Sequence, residues 1–221
     1  MYQLPAEELV LEILLEYLSS DKVKGHRRTV DVCDRQAGNW KKITAEAVAS
    51  TRSPYLNSRI SNAERDWFVN TGSSAPLHLV GVLDSLAIAD PVVDGGLYDR
   101  FLVLYEHFSS RKPPGVATAK IHKVLYVMRP NSFPILDSRL LRVLKGNAQV
   151  VAARIREERG SEDRGHLNYW AAIRELLNEN AAIFRNVRQK LVEHDDPFIK
   201  DASQFLTELR LLDIVLWRAG Q

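Results

Sequence analysis

Asp137 is the carboxylate whose surroundings best suit chemistry. The apolar extended stretch Ser132-Phe133-Pro134-Ile135-Leu136 precedes it and can hold it away from bulk water. It then opens the helix that starts Ser138-Arg139-Leu140-Leu141. An aspartate in that place is a good N-cap, because its oxygen accepts the first unsatisfied backbone N–H groups. A capping aspartate can also act on a substrate, and the residue types leave both roles open. A second constellation lies just upstream. The segment Arg111-Lys112-Pro113-Pro114-Gly115-Val116-Ala117 is too rich in proline and glycine to continue a helix, so it reads as a short turn between two packed helices. With Gly115 in the turn, backbone N–H groups at the start of the second helix point outward, where partial positive charge favours phosphate. Lys120 and Lys123 are three residues apart and so share one side of that helix. The same turn can equally be purely structural.

Other side chains say less. Trp40, Trp67, Tyr98, Tyr126, Tyr169, Trp170 and Trp217 could stack on a nucleobase, but aromatics at helical spacing are more often core. Trp40, in a polar stretch beside Lys41 and Lys42, is the best candidate for an exposed ring. The histidines, His122 and His166 included, show no metal-ligand spacing. No metal and no cofactor is expected. Cys33 is the single cysteine, which excludes an intramolecular disulfide, a zinc ribbon and a four-thiolate iron–sulfur cluster.

The elements that must position these residues read as helices throughout. Residues 6–18 place Leu9, Ile13, Leu14, Tyr17 and Leu18 at helical spacing between glutamates. Residues 19–42, with Lys22, Lys24, His26, Arg27 and Arg28, read as an exposed basic connection. Thr44 can cap a helix to about residue 52, and Ser61 with Glu64 forms a capping box before Trp67, Phe68 and Val69. Ser74 and Pro76 introduce a further segment, 77–86. Asp94-Gly95-Gly96 is a turn, followed by a helix over 97–108, the hairpin turn, a helix over 118–128 and the helix that Asp137 starts. A charged helix over 150–159, an exposed break over 160–165, and apolar-periodic segments over 167–178, 180–193 and 202–217 complete the chain. Period-two runs of β-branched residues are absent, so the expected class is all-α, a single domain over 1–221.

The net charge of +2 conceals an asymmetry. Residues 97–160 hold twelve Lys and Arg against five Asp and Glu, leaving an acidic remainder. Such a distribution suits a basic face for a polyanion, or a solvated surface that happens to be basic. No apolar run approaches the ~20 residues of a membrane span. The start of the chain carries Glu7, Glu8, Glu12 and Glu16 where a signal peptide would be basic and then apolar. A soluble, cytoplasmic protein is expected.

Pro114-Gly115-Val116-Ala117-Thr118-Ala119-Lys120, a helix, and then Phe133-Pro134-Ile135-Leu136-Asp137-Ser138-Arg139 resemble the signature of the helix-hairpin-helix DNA glycosylases. That signature reads Leu-Pro-Gly-Val-Gly-x-Lys, a helix, and Val-Asp-Thr. Together with Lys120-Ile121-His122-Lys123 and Arg129-Pro130, the chain is similar to a mainly actinobacterial branch of that superfamily. The likeness extends to Tyr169-Trp170 and to the run from Leu209 to Trp217. There are departures. Ala117 stands where the second hairpin glycine is expected, and Lys120 follows Gly115 by five residues rather than four.

The resemblance implies a helix-hairpin-helix glycosylase-like fold of two lobes flanking a cleft, with residues 97–145 as its core. It implies binding to double-stranded DNA, flipping of a damaged or modified base, and hydrolysis of its N-glycosidic bond without strand cleavage, in repair or in defence against phage with modified DNA. Asp137 would be the catalytic carboxylate. Lys120 would be either a phosphate contact or, if its amine reached C1′, a Schiff-base nucleophile. Gly115, Val116, Ala117, Thr118, Lys120, Lys123 and Arg139 would grip the backbone, and Trp40 and Trp170 would form the base pocket or wedge. The alternative is a non-catalytic helix-hairpin-helix DNA-binding protein in which Asp137 is only a cap.

Overall fold

The computed structural model describes residues 1–19, 35–53, 56–160 and 165–221, with the side chain of His166 left aside. The basic connection at Lys22, Lys24, His26, Arg27 and Arg28, and Cys33, lie outside the described residues. Among the described residues there are ten α-helices, three 3-10 turns and no strand. The helices are α1 (Glu7–Ser19), α2 (Ala45–Ser50), α3 (Asn62–Gly72), α4 (Leu97–Ser109), α5 (Thr118–Met128), α6 (Ser138–Arg159), α7 (Asn168–Glu179), α8 (Ala181–Val192), α9 (Pro197–Ser203) and α10 (Glu208–Ala219). The all-α expectation holds.

Several boundaries follow from their caps. Thr44 accepts from Ala47 N at 3.1 Å to start α2. Ser61 and Glu64 close a reciprocal capping box on α3. At the far end of α6, Gly160 takes the left-handed φ of +62° that a Cβ would resist.

Three expectations need correction. Residues 77–86 form no helix. Only the 3-10 turns Leu77–Leu79 and Leu86–Ile88 appear, separated by a tight turn in which Gly81 N donates to Asp84 Oδ2 at 2.7 Å. The charged helix over 150–159 is instead the second half of the 22-residue α6. Gly146 and Asn147 do not interrupt it, because the chain start packs there: Tyr2 N donates to Asn147 Oδ1 at 2.7 Å and Asn147 Nδ2 donates to Tyr2 O at 3.0 Å. The segment over 202–217 begins later, at Glu208. Thr207 caps it, and Asp196 with Pro197 starts the separate short helix α9.

The buried apolar residues form one continuous cluster from Val10 to Leu216. Helix α6 packs along α7 and α10, α1 lies against α8 and α10, and α4 packs back on α5. Buried Arg129, just after α5, ties loops together. Its guanidinium donates to the carbonyls of Val80 (2.6 Å), Met128 (2.7 Å) and Leu77 (3.3 Å), with Trp40 O at 3.5 Å. Each carbonyl would otherwise lose a partner on burial. No helix among the described residues is long and apolar enough to cross a membrane.

Candidate functional site

The hairpin between α4 and α5 turns on one glycine. Gly115 has φ +91°, and a Cβ there would stand 3.1 Å from Glu64 Oε1, so backbone and space both call for glycine. Val116 is buried beneath the turn, while Ala117 is the exposed N-cap of α5. An alanine offers no side-chain acceptor, and α5 starts without a side-chain cap. Its first-turn N–H groups therefore take no side-chain acceptor from the capping position. Thr118, half-buried, gives its carbonyl to His122 Nδ1 at 3.0 Å.

The two hairpin lysines have different surroundings. Lys120 Nζ lies 2.6 Å from Glu64 Oε1 and 3.0 Å from Gly115 O. The other oxygen of Glu64 accepts from Ser61 N at 2.7 Å, so one carboxylate both caps α3 and holds the hairpin. Burial works to raise the Glu64 carboxyl. The hydrogen bond and charge of Lys120, together with the bonds from Ser61, overcome that and hold it below the usual carboxylate range. Lys123 donates instead to Leu56 O. Burial pushes its ammonium down, the Asp137 carboxylate pushes it up and Arg210 pushes it down again, leaving it below the usual lysine range. The lysine whose titration responds to Asp137 is thus Lys123, whereas the Lys120 ammonium is engaged by Glu64.

Asp137 is half-buried at the N-cap of α6 in an extended conformation. Its Oδ1 accepts both capping bonds, from Arg139 N at 2.8 Å and Leu140 N at 3.1 Å. Its Oδ2 takes no hydrogen bond among the described residues. The extended stretch before it is pinned from α10, where buried Asp213 accepts from Ile135 N through Oδ2 at 3.0 Å. Three residues earlier on the same side, Arg210 is also buried. Its guanidinium lies over the rings of Tyr17 and Tyr126, and it donates to Tyr17 Oη at 2.8 Å. Arg139 extends over the Trp217 ring with its Cζ 5.0 Å from the centroid.

The two tryptophans assigned to a base pocket or wedge are placed differently. Trp170 is 0% exposed, with Tyr98, Tyr105, His122 and Phe133 packed edge-on around it. Its Nε1 donates to His122 Nε2 at 2.9 Å. An indole N–H only donates, so His122 Nε2 must be unprotonated. Thr118 O only accepts, so Nδ1 carries the proton. That pair is a satisfied core contact, and in this conformation Trp170 reaches no ligand. Trp40 is half-buried and packs against the core, with its Nε1 buried and without a partner among the described residues. No group of His, Cys, Asp and Glu among the described residues could hold a metal ion. A cleft of about 220 Å³ opens at the start of α10 between Ser85, Asn131, Arg188, Thr207 and Glu208, and Asp137 does not line it.

The pattern described as a family of unknown function (DUF6308) matches residues 74–220. The chain belongs to this family. The DUF6308 segment takes in the hairpin, Asp137, Arg210 and Asp213, while Glu64, the partner of Lys120, precedes it. No curated protein and no solved structure matches the chain.

Sequence reasoning took Glu64 only as a cap and missed its bond to Lys120, and it gave no positioning role to Arg129, Arg210 or Asp213. A signal existed for the last two. Charged residues inside the apolar run Leu209-Arg210-Leu211-Leu212-Asp213-Ile214 must be buried on one side or the other, and buried charges need partners.

Proposed function

We propose that this chain is a DNA N-glycosylase with two lobes flanking a cleft, in which Asp137 is the catalytic carboxylate and the hairpin around Gly115 grips the DNA backbone. The observation that carries this reading is the division of labour within Asp137. One oxygen takes both capping bonds and fixes the side chain, and the other accepts none among the described residues. A carboxylate held by its own helix and open on one side can face developing positive charge without reorganising. Cleavage of an N-glycosidic bond develops such charge on C1′ and the ring oxygen. Asp137 stabilises it and orients the attacking water.

On this reading the uncapped start of α5 meets a phosphate, and Lys120 joins it by exchanging Glu64 for a phosphate oxygen. With its ammonium held by Glu64 and Gly115 O, Lys120 serves as a backbone contact rather than a Schiff-base nucleophile, so the enzyme leaves an abasic site in an unbroken strand. The substrate is double-stranded DNA carrying a damaged or modified base, in repair or in defence against phage with modified DNA.

Asp137→Asn tests the reading. Asparagine is itself a good N-cap, so α6 survives. Release of bases from modified DNA is expected to fall by about 10²- to 10⁴-fold with DNA affinity retained. Full activity in the variant would reduce Asp137 to a cap. A second reading, a non-catalytic DNA-binding protein, is favoured by the two capping bonds, which by themselves account for an aspartate at this place. Base release that is absent from the parent chain on every modified DNA tried, with binding intact, would decide for it.

A further inference from the structure

The cleft at the start of α10 belongs to no part of the site built on Asp137. Its walls come from the 3-10 turn Leu86–Ile88 and the residue before it, the segment after α5, and helices α7, α8 and α10. Leu177 and Leu209 are its buried apolar lining. Arg188 and Glu208, both half-buried, bring one charge of each sign.

The two charges line the cleft without neutralising each other. Arg188 donates to Ser203 O at 3.3 Å and to Leu206 O, and a guanidinium carries five N–H groups, so others are left over. Glu208 makes no hydrogen bond and no ion pair among the described residues. Burial holds the Arg188 guanidinium below its usual range, and the Glu208 carboxylate works to raise it. Each charge therefore senses the other while stopping short of contact. Two smaller groups on the same walls also have capacity to spare. Ser85 Oγ accepts from Ala87 N at 3.2 Å and keeps its own proton to donate, and the Asn131 side-chain amide has no protein partner among the described residues.

Charge and size together select the ligand. A phosphate would meet the Glu208 carboxylate, and a metal ion or a simple amine would meet Arg188. A neutral nucleobase would take both charges further out of water and compensate neither. A molecule that carries a carboxylate and an ammonium answers both. The volume of about 220 Å³ is the share of about seven water molecules at ~30 Å³ each. It lies below the roughly 300 Å³ at which pockets for drug-sized ligands begin, so a nucleotide does not fit.

We propose that this cleft is a binding site for a free α-amino acid with a small apolar side chain, its carboxylate on Arg188, its ammonium on Glu208 and its side chain against Leu177 and Leu209. Charge-assisted bonds at both ends fix its orientation. The site goes beyond the DNA reading and does not depend on it, since Asp137 does not line the cleft. Its walls belong to three helices and a turn, so a bound ligand fastens them to one another and stabilises the folded chain.

The test uses the full chain and the common free L-amino acids, each at millimolar concentration. Those with small apolar side chains are expected to raise the thermal unfolding midpoint, and titration calorimetry with L-valine then gives an affinity. Valinamide, which lacks the carboxylate, and isovalerate, which lacks the ammonium, should each bind more than about tenfold more weakly. In Glu208→Gln, where no protein contact is lost, L-valine should weaken by about tenfold or more while isovalerate does not, so that the preference for the zwitterion shrinks. Ala87→Leu, which fills the cleft from its wall, should abolish binding, with unfolding curves in the absence of ligand confirming that both variants fold. No stabilisation by any amino acid overturns the proposal. So does binding of valinamide or isovalerate as tight as that of L-valine, which would remove the zwitterion, and so does unchanged affinity in either variant, which would put the ligand elsewhere.

Discussion

The Lys120 ammonium and the Glu64 carboxylate meet at 2.6 Å directly over the Gly115 turn, both mostly shielded from solvent. Glu64 thus occupies, with its own negative charge, the place where the proposed function puts a phosphate. Replacing it should release the lysine to DNA. Glutamine keeps the capping box, since it serves at the third helical position as glutamate does. Glu64→Gln is therefore expected to bind duplex DNA more tightly at low salt and to steepen the slope of log K against log salt by about one unit. Anisotropy titrations across a salt series measure this, and an unchanged slope would take Lys120 out of the interface.

The same pair makes stability depend on acid. The Glu64 carboxyl is held below its ordinary range, so it binds its proton less readily folded than unfolded. Its contribution is complete above the unfolded value of about 4.3 and is lost as pH falls through the lower folded value. Chemical denaturation of the parent and of Glu64→Gln at neutral pH and below pH 4 should show the parent's advantage shrinking on acidification. An advantage that stays constant with pH would show that the carboxylate charge contributes nothing.

Trp170 and His122 are tied by a single bond in a site closed to water. Trp170→Phe leaves the ring packing largely in place but removes the N–H that Trp170 donates to His122 Nε2. An unsatisfied buried acceptor costs about 1–3 kcal/mol, to be read from the denaturation midpoint, and DNA affinity per folded molecule should not change. A loss of affinity without loss of stability would return Trp170 to the interface.

The helices were legible where a local signal decided them. Ser61 with Glu64, Thr44, Asp137 and Gly160 mark ends by side-chain or backbone chemistry that acts within a few residues, and the structure uses all four. Elements decided at long range were not legible. The continuity of α6 through Gly146 and Asn147 depends on Tyr2, 145 residues away, and the loss of helix over 77–86 depends on Arg129 and Asn131 holding that backbone open. The site divides in the same way. Gly115 and Asp137 announce themselves through turn and cap chemistry. The pairing of Lys120 with Glu64 rather than with the neighbourhood of Asp137 spans 56 residues and has no sequence signature. Lys120 and Lys123 were read as one basic face because they are three apart, but they lie where two different neighbours, α3 and the segment around Leu56, claim them separately.

The Lys123 ammonium reports on Asp137, and that can be measured without any knowledge of the substrate. Burial holds the lysine below its usual range, while the ionised Asp137 carboxylate is the group that works to raise it. Removing that charge must leave burial and Arg210 unopposed. In Asp137→Asn the titration of Lys123 is therefore expected to move further down, which NMR of the reductively methylated side chain can follow residue by residue. The half-buried position of both groups predicts that the shift survives in salt concentrations that screen exposed pairs. If Lys123 titrates at the same pH in parent and variant, the two charges do not communicate, and the Asp137 carboxylate is not what works to raise the lysine.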